Sequence, residues 1–216
     1  MHNIKAIYGG AFDPIHHGHI QTALNICQHL QIDKIHLLPC GQPVFKTGCH
    51  ATPHQRLEML LLATKDYPNI KIDTRELNKS TPSYTIDTLK QLRKETSPHQ
   101  PLLFILGQDA FQDFFKWHDW ENILNYCHLM VLNRPALKKV YRSDLKQFLL
   151  QHQAKDLSLL ASRPCGTIYE WDAGDYPFSS TKIKAALQLQ EPPNGLDNNV
   201  LRYIQKNHLY SNDSCM

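Results

Sequence analysis

The run Gly9-Gly10-Ala11-Phe12-Asp13-Pro14-Ile15-His16-His17-Gly18-His19 constrains this chain more than any other stretch. It follows an apolar segment, Ile4 to Tyr8, that reads as a strand. It precedes Ile20 to Cys27, where apolar residues at 20, 23, 24 and 27 have helical spacing. Strand, glycine-rich turn and helix in that order make a phosphate site. Two glycines let the backbone bend and come close to a ligand. Free N–H groups at a helix start face bound anions, and the helix dipole favours negative charge there. His16 and His19 lie three apart at that start, so both can face one anion. A turn built for structure alone needs small residues but has no use for paired histidines. The run holds no G-x-G-x-x-G, and the chain holds no G-x-x-x-x-G-K-[ST], so neither the dinucleotide nor the P-loop fingerprint applies.

Strand and helix signals alternate after this run. Lys34–Leu38 reads as a strand. Thr52-Pro53-His54-Gln55 opens a helix, with a threonine cap, proline at the first helical position and glutamine three after the cap. Ile70–Asp73 alternates as a strand, and Tyr84–Glu95 is a helix with Ile86, Leu89 and Leu92 on one face. Leu102–Leu106 and His128–Leu132 are apolar runs short enough for strands buried on both faces. Tyr141–Gln153 reads as a helix and Thr167–Trp171 as a late strand, while helices over Thr181–Gln188 and Asn198–His208 close the chain. Such alternation predicts an α/β fold: a Rossmann-like open parallel sheet with helices on both faces. Ligands of such sheets sit beyond the carboxyl ends of the strands, where the Gly9 turn falls. Residues 1–216 are expected to form one domain, with a C-terminal helical part at about 179–210 and a frayed tail at 211–216.

Composition excludes several classes. A net charge of +3 suits phosphorylated metabolites and gives no reason to propose nucleic acid. No stretch approaches a membrane span and no signal peptide precedes the first strand, which leaves the cytoplasm as the expected location. The cysteines at 27, 40, 49, 127, 165 and 215 form no C-x-x-C and are expected to be reduced. Cys40, Cys49, His50 and His54 are zinc-compatible types. Their spacing matches no standard module and His54 falls in a helix start, so no metal site is assigned.

Three later stretches add candidates. Phe178-Ser179-Ser180-Thr181-Lys182-Ile183-Lys184 puts three hydroxyls and two lysines at one helix start, which suits either capping or a polyphosphate. Gly107-Gln108-Asp109 follows a buried strand, and an acidic group there can accept from ribose hydroxyls. Asn133-Arg134-Pro135 offers a cation at the same sheet edge, or a surface arginine before a turn.

The pattern G-x-F-x-P-x-H-x-G-H at 10–19 resembles the signature of the HxGH nucleotidylyltransferase superfamily. The late Ser179–Lys184 element is similar to the one that closes over the triphosphate in that superfamily. Together with Thr81-Pro82-Ser83-Tyr84-Thr85, Gly107–Asp109 and Trp117-His118, these segments resemble the nicotinate-nucleotide adenylyltransferase family from Ile4 to about Tyr210. The resemblance implies adenylyl transfer from ATP to nicotinate mononucleotide. Gly10, Ala11 and Phe12 would line the phosphates with backbone groups, and His16 and His19 would contact the ATP phosphates and the transferring group. Lys46 would reach in as a mobile cation. Gly107 and Asp109 would hold the adenosine side with Arg134 near it, and Ser180, Thr181 and Lys184 would bind the β and γ phosphates. Thr85 and Trp117 would hold the nicotinate end, the ring stacked on the indole. Two departures stand out. Pro43-Val44-Phe45-Lys46 lacks the usual histidine at 45, and lysine replaces the usual arginine at 184. Lysine binds phosphate as a point charge without arginine's fork.

The implied chemistry needs no general base. A mononucleotide phosphate has a second pKa of about 6 and is largely ionised at neutral pH. The barrier is repulsion between polyanions and charge building on the leaving pyrophosphate. Positioning and cationic stabilisation then carry catalysis, with Mg²⁺ arriving on ATP and keeping most of its waters. Two other readings stay open at this point: another adenylyl- or cytidylyltransferase of the superfamily, acting on pantetheine phosphate, nicotinamide mononucleotide or an alcohol phosphate, and a nucleotide sensor without turnover. A homo-oligomer is also left open.

Overall fold

The computed structural model describes residues 4–41, 50–79, 82–133, 141–172, 174 and 176–211. Six strands form one parallel sheet: β1 (Lys5–Gly10), β2 (Ile35–Pro39), β3 (Ile70–Ile72), β4 (Leu102–Gly107), β5 (His128–Asn133) and β6 (Ile168–Asp172). Their order is β3-β2-β1-β4-β5-β6. Ile7, with an apolar neighbour on either side, starts this logic. Ala6 and Tyr8 of β1 enter one core and Ile7 the other. β4 does the same, with Leu103 and Ile105 on one face and Leu102, Phe104 and Leu106 on the other. Successive side chains of a strand alternate faces, so a continuous apolar run must be covered twice.

The helices supply both covers. On the first face lie α1 (His17–Leu30), α2 (Pro53–Thr64), α6 (Leu157–Ser162), α7 (Ser180–Gln188) and α8 (Asn198–Lys206), through Ile20, Ala23, Met59, Leu160, Ile183 and Val200 among others. On the second lie α3 (Thr85–Glu95), α4 (Gln108–Gln112) and α5 (Ser143–His152), with two 3₁₀ turns at Phe114–Lys116 and Trp120–Asn125. The expected face of α3 is the buried one: Ile86, Leu89 and Leu92 are each 0% exposed. Thr52 caps α2 as its sequence requires. Its hydroxyl accepts from the Gln55 amide at 3.2 Å, and the Gln55 side chain accepts from the Thr52 amide at 2.9 Å. Boundaries move slightly from expectation: α1 begins at His17, α5 is shorter than 141–153, and α8 ends at Lys206. The short elements between 108 and 125, and α6, have no periodic signal in the sequence.

The sheet order reverses direction between β1 and β4. Tyr8 pairs with Ile105, so the two strands end at the same level, at Gly10 and Gly107. In open parallel sheets the ligand crevice opens at such a switch point. No helix among the described residues is long and apolar enough to cross a membrane.

Candidate active site

The glycine turn leaves β1 with its tight places filled by aromatic rings. A side chain on Gly9 would meet the Phe104 ring at 2.7 Å, and one on Gly10 would meet Phe12 at 3.0 Å. Phe12 itself takes a left-handed backbone (φ 50°) and buries its ring, 2% exposed, edge-on to Tyr8 and His19. Only its main chain can therefore face a ligand.

His16 and His19 come together as expected. Their rings stack with centroids 3.8 Å apart, and they are cross-linked by main chain. The His19 amide donates to the His16 carbonyl at 2.9 Å, and the His16 amide donates to His19 Nδ1 at 3.3 Å. In a neutral imidazole one nitrogen accepts and the other carries the proton. Nδ1 is the acceptor here, so Nε2 of His19 is the N–H donor. Gly18 is required between them, because a side chain there would come within 3.0 Å of His16 Nδ1.

The helix start is less open than the sequence implies. The His17 amide donates to the Gly195 carbonyl at 2.8 Å, and the His19 amide is taken by His16. The segment before α8 folds over α1, so a bound anion gains fewer amides from this end than a bare helix start offers.

Asp13, 5% exposed, is the hub of the turn. It accepts from the His50 amide (3.0 Å), the Ala51 amide (3.2 Å), the Tyr210 hydroxyl (2.6 Å) and Lys184 Nζ (3.5 Å). Lys184 Nζ also lies 3.3 Å from His50 Nδ1. The expectation for Lys184 was direct contact with phosphate. The structure places its ammonium on Asp13, the buried carboxylate within reach of its stem. Lys184→Ala should raise the KM for ATP about tenfold or more, the loss of one charge-assisted bond. Lys184→Arg should hold or lower it, since the guanidinium can serve Asp13 and a phosphate together. Steady-state kinetics in ATP check both. An unchanged KM in the alanine variant would confine Lys184 to Asp13.

Arg56 was not anticipated. It is 0% exposed on α2, yet its guanidinium reaches the Ala11 carbonyl and the Gly41 carbonyl, each at 2.9 Å. Gly41 is packed so closely that a side chain would meet the Glu76 carbonyl at 2.6 Å.

The adenosine and acceptor candidates occupy the far side of the switch point. Asp109 folds back toward Gly107, its Oδ1 2.6 Å from where a side chain on Gly107 would begin, so any such side chain would push the carboxylate aside. Trp117 packs edge-on against Phe104 (6.3 Å), the ring over Gly9, and tilted against Phe114 (5.6 Å). Thr85 opens α3. Its neighbour Tyr84 contacts His118, the neighbour of Trp117, with ring centroids 4.4 Å apart. At the late element, Ser179 is the helix cap, accepting from the Lys182 amide, while Ser180 donates to the Pro14 carbonyl at 2.9 Å and Thr181 is exposed. That serine bond ties α7 to the phosphate turn. Lys46, Arg134, Cys49 and residues 212–216 lie outside the described residues. His50 joins Asp13 and Lys184, and among the described residues no group of three or more His, Cys, Asp or Glu could hold a metal. Every hydrogen bond of Asp13 given above is to the protein. The turn's buried carboxylate is thus engaged by the chain's own donors.

A histidine pair on a glycine turn lies at the switch point of a parallel sheet, faced by a second helix start, as a nucleotidyltransferase site would require. Comparisons with known proteins agree. The cytidylyltransferase-like family model matches residues 7–186. A protein of Legionella pneumophila (strain Lens) named "Probable nicotinate-nucleotide adenylyltransferase" is 41% identical over 97% of this chain and 100% of its own length. A relative of the same name from Hahella chejuensis is 37% identical over 97% of this chain and 96% of its own. Among solved structures, the Plasmodium falciparum nicotinic acid mononucleotide adenylyltransferase complexed with NaAD is 23% identical, covers 96% of this chain and 97% of its own, and superposes with a TM-score of 0.70, a likeness of fold. The chain belongs to the cytidylyltransferase-like family and, within it, to the nicotinate-nucleotide adenylyltransferases.

Proposed function

We propose that this protein transfers the adenylyl group of ATP to nicotinate mononucleotide, a step of NAD biosynthesis. A phosphate oxygen of the mononucleotide attacks the α-phosphorus of ATP. The bond from that phosphorus to the β-bridging oxygen breaks, and pyrophosphate leaves as nicotinate adenine dinucleotide forms. The observation that carries the proposal is the stacked His16/His19 pair, held by its own backbone over a glycine turn at the switch point. Full-length likeness to relatives bearing the enzyme's name supports the acceptor.

In this mechanism the site positions and neutralises. The His19 Nε2–H donates to the oxygens that gain charge, a preorganised donor of the kind that stabilises a transition state. Lys46, Lys184 and the Ser180–Thr181 helix start take the β and γ phosphates. Gly10, Ala11 and Phe12 offer backbone groups, and Asp109 with Gly107 holds the adenosine side, Arg134 near it. Thr85 and Trp117 receive the nicotinate ring. Mg²⁺ enters as part of the ATP substrate. One domain performs the whole reaction, in the cytoplasm.

Pyrophosphate release with ATP and a panel of phosphorylated acceptors tests the proposal. Nicotinate mononucleotide should be the preferred acceptor, with nicotinate adenine dinucleotide recovered as product. Turnover of pantetheine phosphate or an alcohol phosphate instead would move the chain to another branch of the family. ATP binding without turnover would make it a sensor.

A further inference from the structure

A buried arginine normally has a carboxylate beside it, because a lone charge out of water costs several kcal/mol. Arg56 breaks that rule. Its side chain is 0% exposed, and among the described residues no carboxylate oxygen lies within 4.0 Å of its guanidinium. Its partners are two main-chain carbonyls, Ala11 and Gly41, with the Cys40 sulfur at 4.0 Å, and its Nε atom has no partner among the described residues. The Glu76 carboxylate reaches it only indirectly, through the Gly41 amide. Stability alone does not account for a cation placed this way.

Position does. Ala11 lies in the middle of the phosphate turn, between the β1 terminus and Phe12. Across a trans peptide the carbonyl and the following N–H point in opposite directions. Holding the Ala11 carbonyl on Arg56 therefore aims the Phe12 amide away from the arginine. The Gly10 carbonyl is held likewise, by the Cys40 amide at 2.9 Å, which turns the Ala11 amide away from β2. Two successive amides are thus turned away from Arg56 and from β2, with a positive charge on the carbonyl side. Successive amides backed by a cation make an anion site.

We propose that Arg56 is a positioning residue for the polyphosphate: it orients the turn's amides from behind, and its unmatched charge is completed by the phosphates of the bound nucleotide. The inference rests on the ATP-dependent reading of the site, but not on the identity of the acceptor.

The test compares ligands with and without phosphates on the full chain. In Arg56→Met, affinity for ATP and for inorganic tripolyphosphate, measured by calorimetry, should fall about tenfold or more, the loss of a charge's share of binding. Affinity for adenosine should stay within about twofold, since no phosphate is involved. Arg56→Lys keeps the charge and loses the fork, so it should recover part of the ATP affinity. If Arg56→Met fails to fold, the lysine variant decides alone: a several-fold loss toward ATP with adenosine unchanged supports the proposal. Equal losses toward ATP and adenosine, or no loss toward either, would overturn it and leave Arg56 a structural bracket. Should wild type bind ATP yet fail to adenylate nicotinate mononucleotide, the acceptor assignment falls while the Arg56 result still stands or falls on its own.

Discussion

His19→Ala should lower kcat by about 100- to 1,000-fold, the usual result of deleting one preorganised donor from a charge-building transition state. The structure adds a second, smaller effect. His19 also accepts the His16 amide, so the variant loses part of the cap on α1. A lost cap costs about 1 kcal/mol, or roughly 2–4 °C in Tm for a chain of this size. The two readouts separate the roles. A folded variant that melts a few degrees lower and keeps more than a tenth of its kcat would show that His19 is a cap and not a catalyst. His19→Asn retains a short hydrogen-bonding side chain, so it should recover some of the melting temperature but little of the rate.

Trp117→Ala should lose most activity on nicotinate mononucleotide while ATP binding survives. The indole offers a stacking surface to a pyridinium, with a cation–π term of about 0.5–2 kcal/mol. It also braces Phe104, whose ring fills the space above Gly9. Trp117→Phe separates these contributions: it keeps packing and part of the stacking, and should retain more activity than alanine. The Thr85 hydroxyl and local amides can donate to the ring carboxylate, and charge-assisted bonds are about twice as strong as neutral ones. A carboxamide would present an NH₂ to those donors and leave them unpaired, at about 1–3 kcal/mol each. The acid should therefore be preferred over the amide by at least about tenfold in kcat/KM. Equal use of the two, or a wild-type KM for the acid in Trp117→Ala, would refute the pocket.

What was legible in the sequence depended on locality. The Thr52 cap is made by residues three apart, so its signal is complete within one window. The α3 face and the apolar runs of β4 and β5 are equally local, because helical and pleated periods report burial directly. The same holds for His16 and His19. Arg56 was missed because its identity as a buried bracket lies in carbonyls 45 and 15 positions away. Within α2 it looks like any solvated arginine. The resemblance gives Lys184 a phosphate role, but its contact with Asp13 could not be read locally, because that carboxylate lies 171 positions earlier. The 108–125 region hid for a different reason. Phe111, Phe114, Phe115, Trp117 and Trp120 pack ring on ring through short turns, and such packing follows no period.

The Tyr210–Asp13 bond spans 197 positions and joins the first turn of the chain to the end of its last helical segment. A ribosome delivers these partners in that order, and N-terminal parts of a chain begin to fold first. The glycine turn is thus among the earliest pieces made. Its central carboxylate meets its first donors at residues 50 and 51, but the Lys184 and Tyr210 donors follow only much later in the chain. A nascent chain can therefore pair its six strands before the full set of donors around Asp13 is in place.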